Sequence, residues 1–428
     1  MNYRVNFSIN RILWFVLIAA VASNIFLISP IYIGETRIPI TLLISLFGMF
    51  LFSTILKKNM MMKIKLVVAD YLLILFLFIN LISTLLNSNR FYGNISQNIN
   101  GFLVLLSGII YYFFFRATVK NYRETIFLFK VYFFSALIPT IYSILHFLSW
   151  NIGHRFFFKL NYDLYYHFYS LGMFRASGFT PEPSHFALYL SSVIFIGLFF
   201  LSDKNQKKKK FYSISLLIII TAQLLTFSQI LAFDLFFLFW FLIIRKKNIK
   251  QFLFILIILT ISISSILALD FHYKLGICKI FVKRTQLILS TEIEKGYNLG
   301  RFQSLIIGWE IFKRHPILGI GINNLSLETI DTISSIEWHY ESTGLHSKLI
   351  MILVETGVIG FIIYLFFGFK TFLKKVNIIN FIKMPNYISY SFFIVFILTG
   401  ITGKFLTFFF FWFLAALTVN YFIFIHNK

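Results

Sequence analysis

Long apolar runs separated by short basic blocks recur from one end of the chain to the other. Runs of about 20 apolar residues, the length that crosses a bilayer as a helix, fall near 11–29, 38–56, 66–86, 98–116, 126–150, 184–202, 212–228, 230–244, 251–269, 347–369, 386–401 and 405–425. The pattern predicts an all-α polytopic membrane protein of about 12 transmembrane helices, because lipid leaves the backbone only its own hydrogen bonds. Two longer segments interrupt the alternation, at 151–183 and at 270–345. The chain has neither an internal repeat nor a low-complexity linker, so residues 1–428 read as a single membrane domain with two outer loops, the larger one partly helical.

Composition removes alternatives. Hydrophobic residues make up 58% of the chain and charged residues 13%, too few to cover a water-soluble fold. The net charge of +23 would suit nucleic acid, but its placement does not. Lysine and arginine sit in blocks between apolar runs: Lys57–Lys65, Arg116–Arg123, Lys204–Lys210, Arg245–Lys250 and Lys370–Lys383. A nucleic-acid protein gathers such charge on one soluble face. Blocks of this kind mark cytoplasmic loops and contact with anionic membrane lipids, so no nucleic-acid partner is expected.

The same blocks orient the chain with both termini in the cytoplasm and the two long segments outside. Of the 16 acidic residues only Glu124 and Asp203 fall in inner loops, and every histidine except His426 lies on or near the outer side. The solitary Cys278 excludes an intramolecular disulfide, and no Cys/His zinc spacing is present, so no metal is expected. The first apolar run lacks a small-residue cleavage site and reads as a span, not a removed signal.

Candidate chemistry therefore belongs to the outer loops. Residues Arg301–Arg314 place Phe302, Leu305, Ile306, Trp309 and Phe312 at helical spacing, with Gln303, Glu310 and Lys313 opposite. This predicts an amphipathic helix at the membrane surface. His315-Pro316 stops it, and Gly319 and Gly321 follow as a turn with close backbone access. Residues 271–290 form a weaker second candidate of the same kind. Lys313 and Arg314 suit lipid headgroups, whereas Arg301 offers a guanidinium fork that matches phosphate oxygens.

The run Arg175-Ala-Ser-Gly-Phe-Thr-Pro-Glu-Pro-Ser184 holds Glu182 between Pro181 and Pro183, with Ser184 placed to cap the next helix. An arginine and a carboxylate on such a turn either orient a polar substrate or pair with each other. His346 opens a later helix, and a free imidazole exchanges protons near neutrality. Glu355 lies too far along that helix to touch it, about 13 Å at 1.5 Å per residue. A carboxylate at that depth costs about 2.5–3.5 kcal/mol, so it must face protein or water. Asp70 and Asp234, also inside spans, read as helix-joining groups.

Three of these runs form a combination. Arg175-x-x-Gly-x-x-x-Glu182-Pro183, then Gly300-Arg301 before a helix ending His315-Pro-x-x-Gly319-x-Gly321, then His346 followed by Glu355-x-Gly357-x-x-Gly360, resembles the O-antigen polymerase and ligase superfamily (Wzy and WaaL) over residues 175–360. Glu182-Pro183 leans toward the polymerase branch. Ser228-Gln229 departs from the Ser-Arg frequent in relatives, and Ser347 stands where Asn is common.

The resemblance implies a GT-C-like fold and a metal-independent glycosyltransferase with no cofactor, on the outer face of the cell (inner) membrane. Donor and acceptor would be undecaprenyl-pyrophosphate-linked glycan repeats, joined into O-antigen, capsule or exopolysaccharide. A chain-length regulator and a flippase would be partners. Under it Arg175 and Arg301 bind the pyrophosphate, and His346 and Glu182 are the catalytic residues, His346 serving the acceptor hydroxyl as base or orienting group and Glu182 orienting the site. Trp338 and Tyr340 are ordinary interfacial anchors or sugar-stacking rings. The rival readings are an O-antigen ligase-type transferase, a transporter of lipid-linked oligosaccharide, which would show repeats, broken helices and midplane charges, and a structural subunit of a glycan-assembly complex.

Overall fold

The computed structural model describes residues 15–22, 32–33, 36–37, 66–87, 95–152, 169–170, 173–180, 182–202, 209–228, 301–325, 347–372, 387–402 and 409–425, with isolated positions between them. In chain order the elements are β1 (Tyr32–Ile33), β2 (Thr36–Arg37), α1 (Val68–Asn87), α2 (Ile95–Thr118), α3 (Tyr122–Ser135), α4 (Leu137–Asn151), β3 (Tyr169–Ser170), β4 (Met173–Phe174), α5 (Pro183–Ser202), α6 (Lys209–Leu225), α7 (Arg301–Arg314), α8 (Lys348–Phe372), α9 (Tyr387–Thr402) and α10 (Phe409–Ile425). The strands are two-residue antiparallel pairs, β1 with β2 and β3 with β4. The remaining described elements are helices, and the chain is an all-α polytopic membrane protein.

Five of the described helical stretches are long and apolar enough to cross a bilayer: Val68–Asn87, Asn98–Thr118, Tyr122–Asn151, Pro183–Ser202 and Lys348–Thr371. The predicted spans at 38–56, 230–244 and 251–269 lie outside the described residues, apart from isolated positions.

Two compact units alternate along the chain, the first built from Met1–Phe47, Tyr122–Thr291 and Val376–Val395, the second from Gly48–Asn121, Glu292–Lys375 and Phe396–Lys428. In the second unit α1 lies along α8, and α2 along α10. Helix α1 divides cleanly. Val68, Tyr71, Leu75, Phe78, Ile82 and Leu85 form an exposed apolar stripe, while Asp70, Asn80 and Ser83 are buried on the opposite side. A membrane helix turns its polar groups toward protein, because lipid offers them no partner. Gly108 lets α2 approach α10 so closely that a Cβ there would strike the Trp412 indole.

Asp70 is the centre of a buried polar network in this unit. Arg116 donates from Nε to Oδ1 at 3.1 Å and from Nη2 to Oδ2 at 2.8 Å, and Tyr112 donates its hydroxyl to Oδ1 at 2.6 Å. Arg116 Nη1 also donates to Asn420 Oδ1, and Asn420 Nδ2 to the Phe115 carbonyl. Arg116 was expected in a cytoplasmic loop block. It is instead a buried member of α2, since a carboxylate one helix away satisfies it. Removing one partner would leave the other charge buried, which typically costs about 3–5 kcal/mol.

In the first unit α5 packs on α6, α4 on α6, and α3 on α5. Phe133, Phe200 and Tyr212 cluster among them. Asp234 is buried and accepts from Ser191 Oγ at 2.7 Å and Gln223 Nε2 at 2.6 Å, joining α5 and α6 to its own segment.

Candidate functional site

The turn after α7 has the most unusual backbone in the described chain. Helix α8 is interrupted at Gly357, whose φ of 64° and ψ of −169° are not helical. In a continuous helix the carbonyls of Val354 and Glu355 would accept from the N–H groups of Val358 and Ile359. Here residues 316–321 take all four positions. Ile320 N donates to Val354 O at 3.0 Å and Gly321 N to Glu355 O at 3.0 Å. In return Val358 N donates to Pro316 O at 2.8 Å and Ile359 N to Ile317 O at 3.5 Å. The broken helix thus leaves no orphan among these groups, as a low-dielectric surrounding requires.

The motif glycines make this interlock possible. A Cβ on Gly357 would strike the Ile317 carbonyl, and one on Gly319 (φ 70°) would strike the backbone of Val354, Glu355 and Gly357. The expected free backbone access at Gly319 and Gly321 is therefore taken by α8 and α1. Ser83 Oγ donates to the Leu318 carbonyl and Asn87 Nδ2 to the Gly319 carbonyl, while Ile322 N donates to Thr84 Oγ1.

Glu355 completes the clamp. It is buried, its Oε1 accepts from Asn323 N at 3.1 Å, and its Oε2 lies 3.7 Å from Lys348 Nζ, itself buried. This carboxylate is a structural fastener. It holds the start of α8, which follows His346 by two positions, against the loop that follows α7.

Helix α7 forms over the predicted residues but buries a different face. Ile307 and Ile311 are fully buried against Ile320, Leu325 and Val354, whereas Leu305 and Trp309 point outward. The helix is thus apolar on two sides, one docked on protein and one exposed with Lys313 beside it. Glu328 is fully buried, 3.6 Å from His315 and 4.0 Å from Arg314. Arg314 therefore has a carboxylate neighbour beyond the headgroup contact expected for it.

That burial bears on topology. In a background with Cys278 replaced by Ser, cysteines at Lys208, Lys247 and Lys375 should resist a membrane-impermeant thiol reagent in intact cells, and one at Asp163 should react. Glu328, an outer-loop residue on the sequence pattern, should stay unlabelled because it is enclosed. Labelling of the three lysine positions would reverse the orientation.

In the first unit the run 174–185 is held as a compact turn at the α5 end. Asn151 bonds the Phe174 backbone in both directions, through Nδ2 to O at 3.1 Å and Oδ1 from N at 3.0 Å. Ala176 N donates to Leu225 O at 3.0 Å, and Arg175 Nε donates to Thr226 O at 2.9 Å. Arg175 is only 9% exposed. Its Nε secures the 223–228 turn, where Phe227 adopts a left-handed φ of 46°. Gly178 (φ 55°) lies against the Phe186 ring, too close for a Cβ.

Thr180 closes the turn, donating Oγ1–H toward the Ser177 and Glu182 carbonyls at 2.8 and 2.7 Å. Pro183 starts α5, a position where its missing N–H costs nothing. Ser184 is consequently the second helical residue and does not cap. Its hydroxyl donates to Glu182 Oε2 at 3.1 Å, and His185 Nε2 lies 3.7 Å from the same oxygen. His185 was not singled out from sequence; its signal was the i, i+3 spacing from Glu182 across a helix start.

Of the four predicted site residues, Arg175 and Glu182 share this turn. Arg301 is the first residue of α7 in the second unit. Its side chain and the whole of His346 lie outside the described residues. Among the described residues no group of three or more His, Cys, Asp or Glu side chains is arranged to hold a metal. Residues 214–365 match the family model Wzy_C, described as O-antigen ligase. No curated protein matches the chain.

Proposed function

We propose, on the premise that residues 214–365 place this chain in the Wzy/WaaL-like superfamily, that it joins undecaprenyl-pyrophosphate-linked repeat units into a surface polysaccharide on the outer face of the cell membrane. The family function is of the O-antigen ligase/polymerase type, glycosyltransferase-like, in a multi-pass membrane protein. The finer assignment is to the polymerase branch, with a GT-C-like fold, no metal, both termini inside, and a chain-length regulator and flippase as partners.

The observation that carries this reading is the interlock in the second unit. It fastens the helix opened by Arg301 to the helix that follows His346, through the two glycine motifs of the matched segment. A pyrophosphate leaving group at a membrane surface needs fixed cations, and preorganised donors stabilise developing charge best. Arg301 is assigned to it, and so is Arg175, whose Nε donates to the Thr226 carbonyl. His346 is assigned to the acceptor hydroxyl and Glu182 to orienting the site.

A transporter reading expects a broken helix, and α8 has one. Its four open backbone groups are filled by residues 316–321 and are not left for cargo. The ligase reading draws on the family description. It differs only in acceptor, a lipid-anchored core in place of a second repeat unit.

Expression of variants in the producing cell, with its own copy deleted, tests the assignment. Arg301→Ala and Arg175→Ala should lower polymer by roughly 10²–10³-fold, the usual loss for one charge-stabilising donor, at unchanged protein level, and single repeat units should accumulate on the carrier. Lysine should rescue poorly, because an ammonium cannot bond two oxygens in parallel. Full-length polymer in an alanine variant would remove that arginine from the site.

A further inference from the structure

We propose that the α4 end of the first unit carries a glycan-stacking subsite, in which the ring ladder Phe179–Tyr142–His146–Phe174–Trp150 beside Glu182 takes a sugar ring of the lipid-linked repeat by face contact. The proposal rests on the functional reading above and extends it to a binding surface formed by residues with no assigned role.

The ladder is continuous. Successive ring centroids lie 4.9 Å apart (Phe179 to Tyr142), 5.3 Å (Tyr142 to His146), 4.6 Å (His146 to Phe174) and 5.3 Å (Phe174 to Trp150). His146 and Phe174 are buried, whereas Tyr142, Trp150 and Phe179 are partly open. The inner rings are pinned: His146 Nε2 accepts from Trp150 Nε1 at 3.0 Å, and Asn151 holds the Phe174 backbone from both sides. Rigid rings bind a partner without losing rotamer freedom on contact.

Their placement argues against simple lipid anchoring. On α4 the exposed apolar residues Ile138, Ile141 and Leu145 form one stripe, the face that lipid covers. Tyr142, His146 and Trp150 recur at i, i+4 and i+8 on a neighbouring face, turned toward Phe174 and Phe179. Interfacial anchor rings would lie on the lipid stripe.

What the rings border decides the ligand class. Phe179 and Glu182 belong to one turn, closed by Thr180. Glu182 is about a third exposed, with Ser184 and His185 at its carboxylate. A sugar ring has a C–H face, attracted to the negative face of an aromatic ring, and a rim of hydroxyls that need acceptors. Rings that share a turn with a partly exposed carboxylate fit both. The polyprenyl tail has no use for the carboxylate.

The test measures binding to the purified full-length protein in nanodiscs, with two probes: the producing cell's own undecaprenyl-pyrophosphate-linked repeat unit, and undecaprenyl pyrophosphate without glycan. Wild-type protein should bind the glycan-bearing lipid more tightly. Phe179→Ala and Tyr142→Ala should each weaken that binding by roughly 3–10-fold, the scale of one aromatic contact, and leave binding of the bare carrier unchanged. Phe179→Tyr and Tyr142→Phe, which keep the rings, should bind as wild type. If the alanine variants do not fold, Phe179→Leu carries the test, since it keeps apolar bulk without a π face. Equal binding of the two lipids by wild type, equal losses for both lipids, or no loss in the ring-less variants would each overturn the subsite. Glycan-selective binding by a protein that forms no glycosidic bond would sink the transferase reading and leave the subsite standing.

Discussion

Replacing His346 by alanine is expected to lower turnover of lipid-linked repeat units by roughly 10²–10⁴-fold, the usual range for losing a general base, while donor binding persists. The nucleophile is a sugar hydroxyl, far too weak an acid to ionise unaided near neutrality. A neutral imidazole can accept its proton as the glycosidic bond forms, because its own titration lies close to working pH. The helix after His346 starts from a fixed point: Lys348 lies against Glu355, and Met351 N donates to Ser347 O at 3.0 Å.

His346→Gln keeps a hydrogen-bonding group but cannot take the proton, so it should be nearly as impaired as alanine. The wild-type rate should fall as pH drops through the range where imidazole becomes charged, and that limb should vanish in both variants. Near-normal turnover with Gln would mean that His346 orients the acceptor, and Glu182 would become the better base.

Gly357→Ala is expected to be the most damaging single-methyl change, destabilising the protein by about 3 kcal/mol or more. Alanine at a left-handed φ is strained, and its Cβ would meet the Ile317 carbonyl, a backbone atom held in place by its own hydrogen bond to Ile359. Relief requires residues 316–321 to withdraw from α8, leaving backbone groups without partners at about 1–3 kcal/mol each.

Gly101→Ala, within helix α2, is the control. Its added methyl would meet chiefly the terminal amide of the Asn323 side chain, which can turn aside. Thermal unfolding in detergent should separate the two, with Gly357→Ala melting far lower or failing to accumulate. Equal stability would mean that the 316–321 segment does not thread the helix break.

Helix positions were largely legible in the sequence because span length is dictated by bilayer thickness. The runs predicted near 66–86, 98–116, 126–150, 184–202 and 347–369 correspond to observed helices within a few residues. Which face each helix buries was not legible. Lipid tolerates apolar residues as well as a protein core does, so hydropathy could not tell that Ile307 and Ile311 dock while Leu305 and Trp309 stay outside. The break in α8 was hidden for a similar reason: apart from Glu355 and Thr356 the residues around Gly357 are apolar, and its geometry comes from a segment about 40 residues earlier, outside any local pattern. Likewise Arg116 reads as a loop charge until Asp70, 46 positions away, is seen beside it.

At the candidate site, the motifs pointed to segments that the structure shows as tight, glycine-bearing turns, and the Glu182 turn was recognisable from its prolines. The partners were not: His185 at Glu182, Thr226 at Arg175 and the α4 ring ladder all depend on which helices meet.

The proposed joining of lipid-linked repeats to one another can be read in a defined system: the full-length protein, purified and returned to liposomes, given undecaprenyl-pyrophosphate-linked repeat unit as the sole glycan, with chelator present, followed by mass analysis of the lipid-linked products. A ladder of masses spaced by one repeat unit is expected, with undecaprenyl pyrophosphate released at one per bond formed and no ladder from His346→Ala. Active wild-type liposomes that move the intact donor across the bilayer, or that transfer a repeat only when a different lipid-anchored acceptor is added, would contradict it.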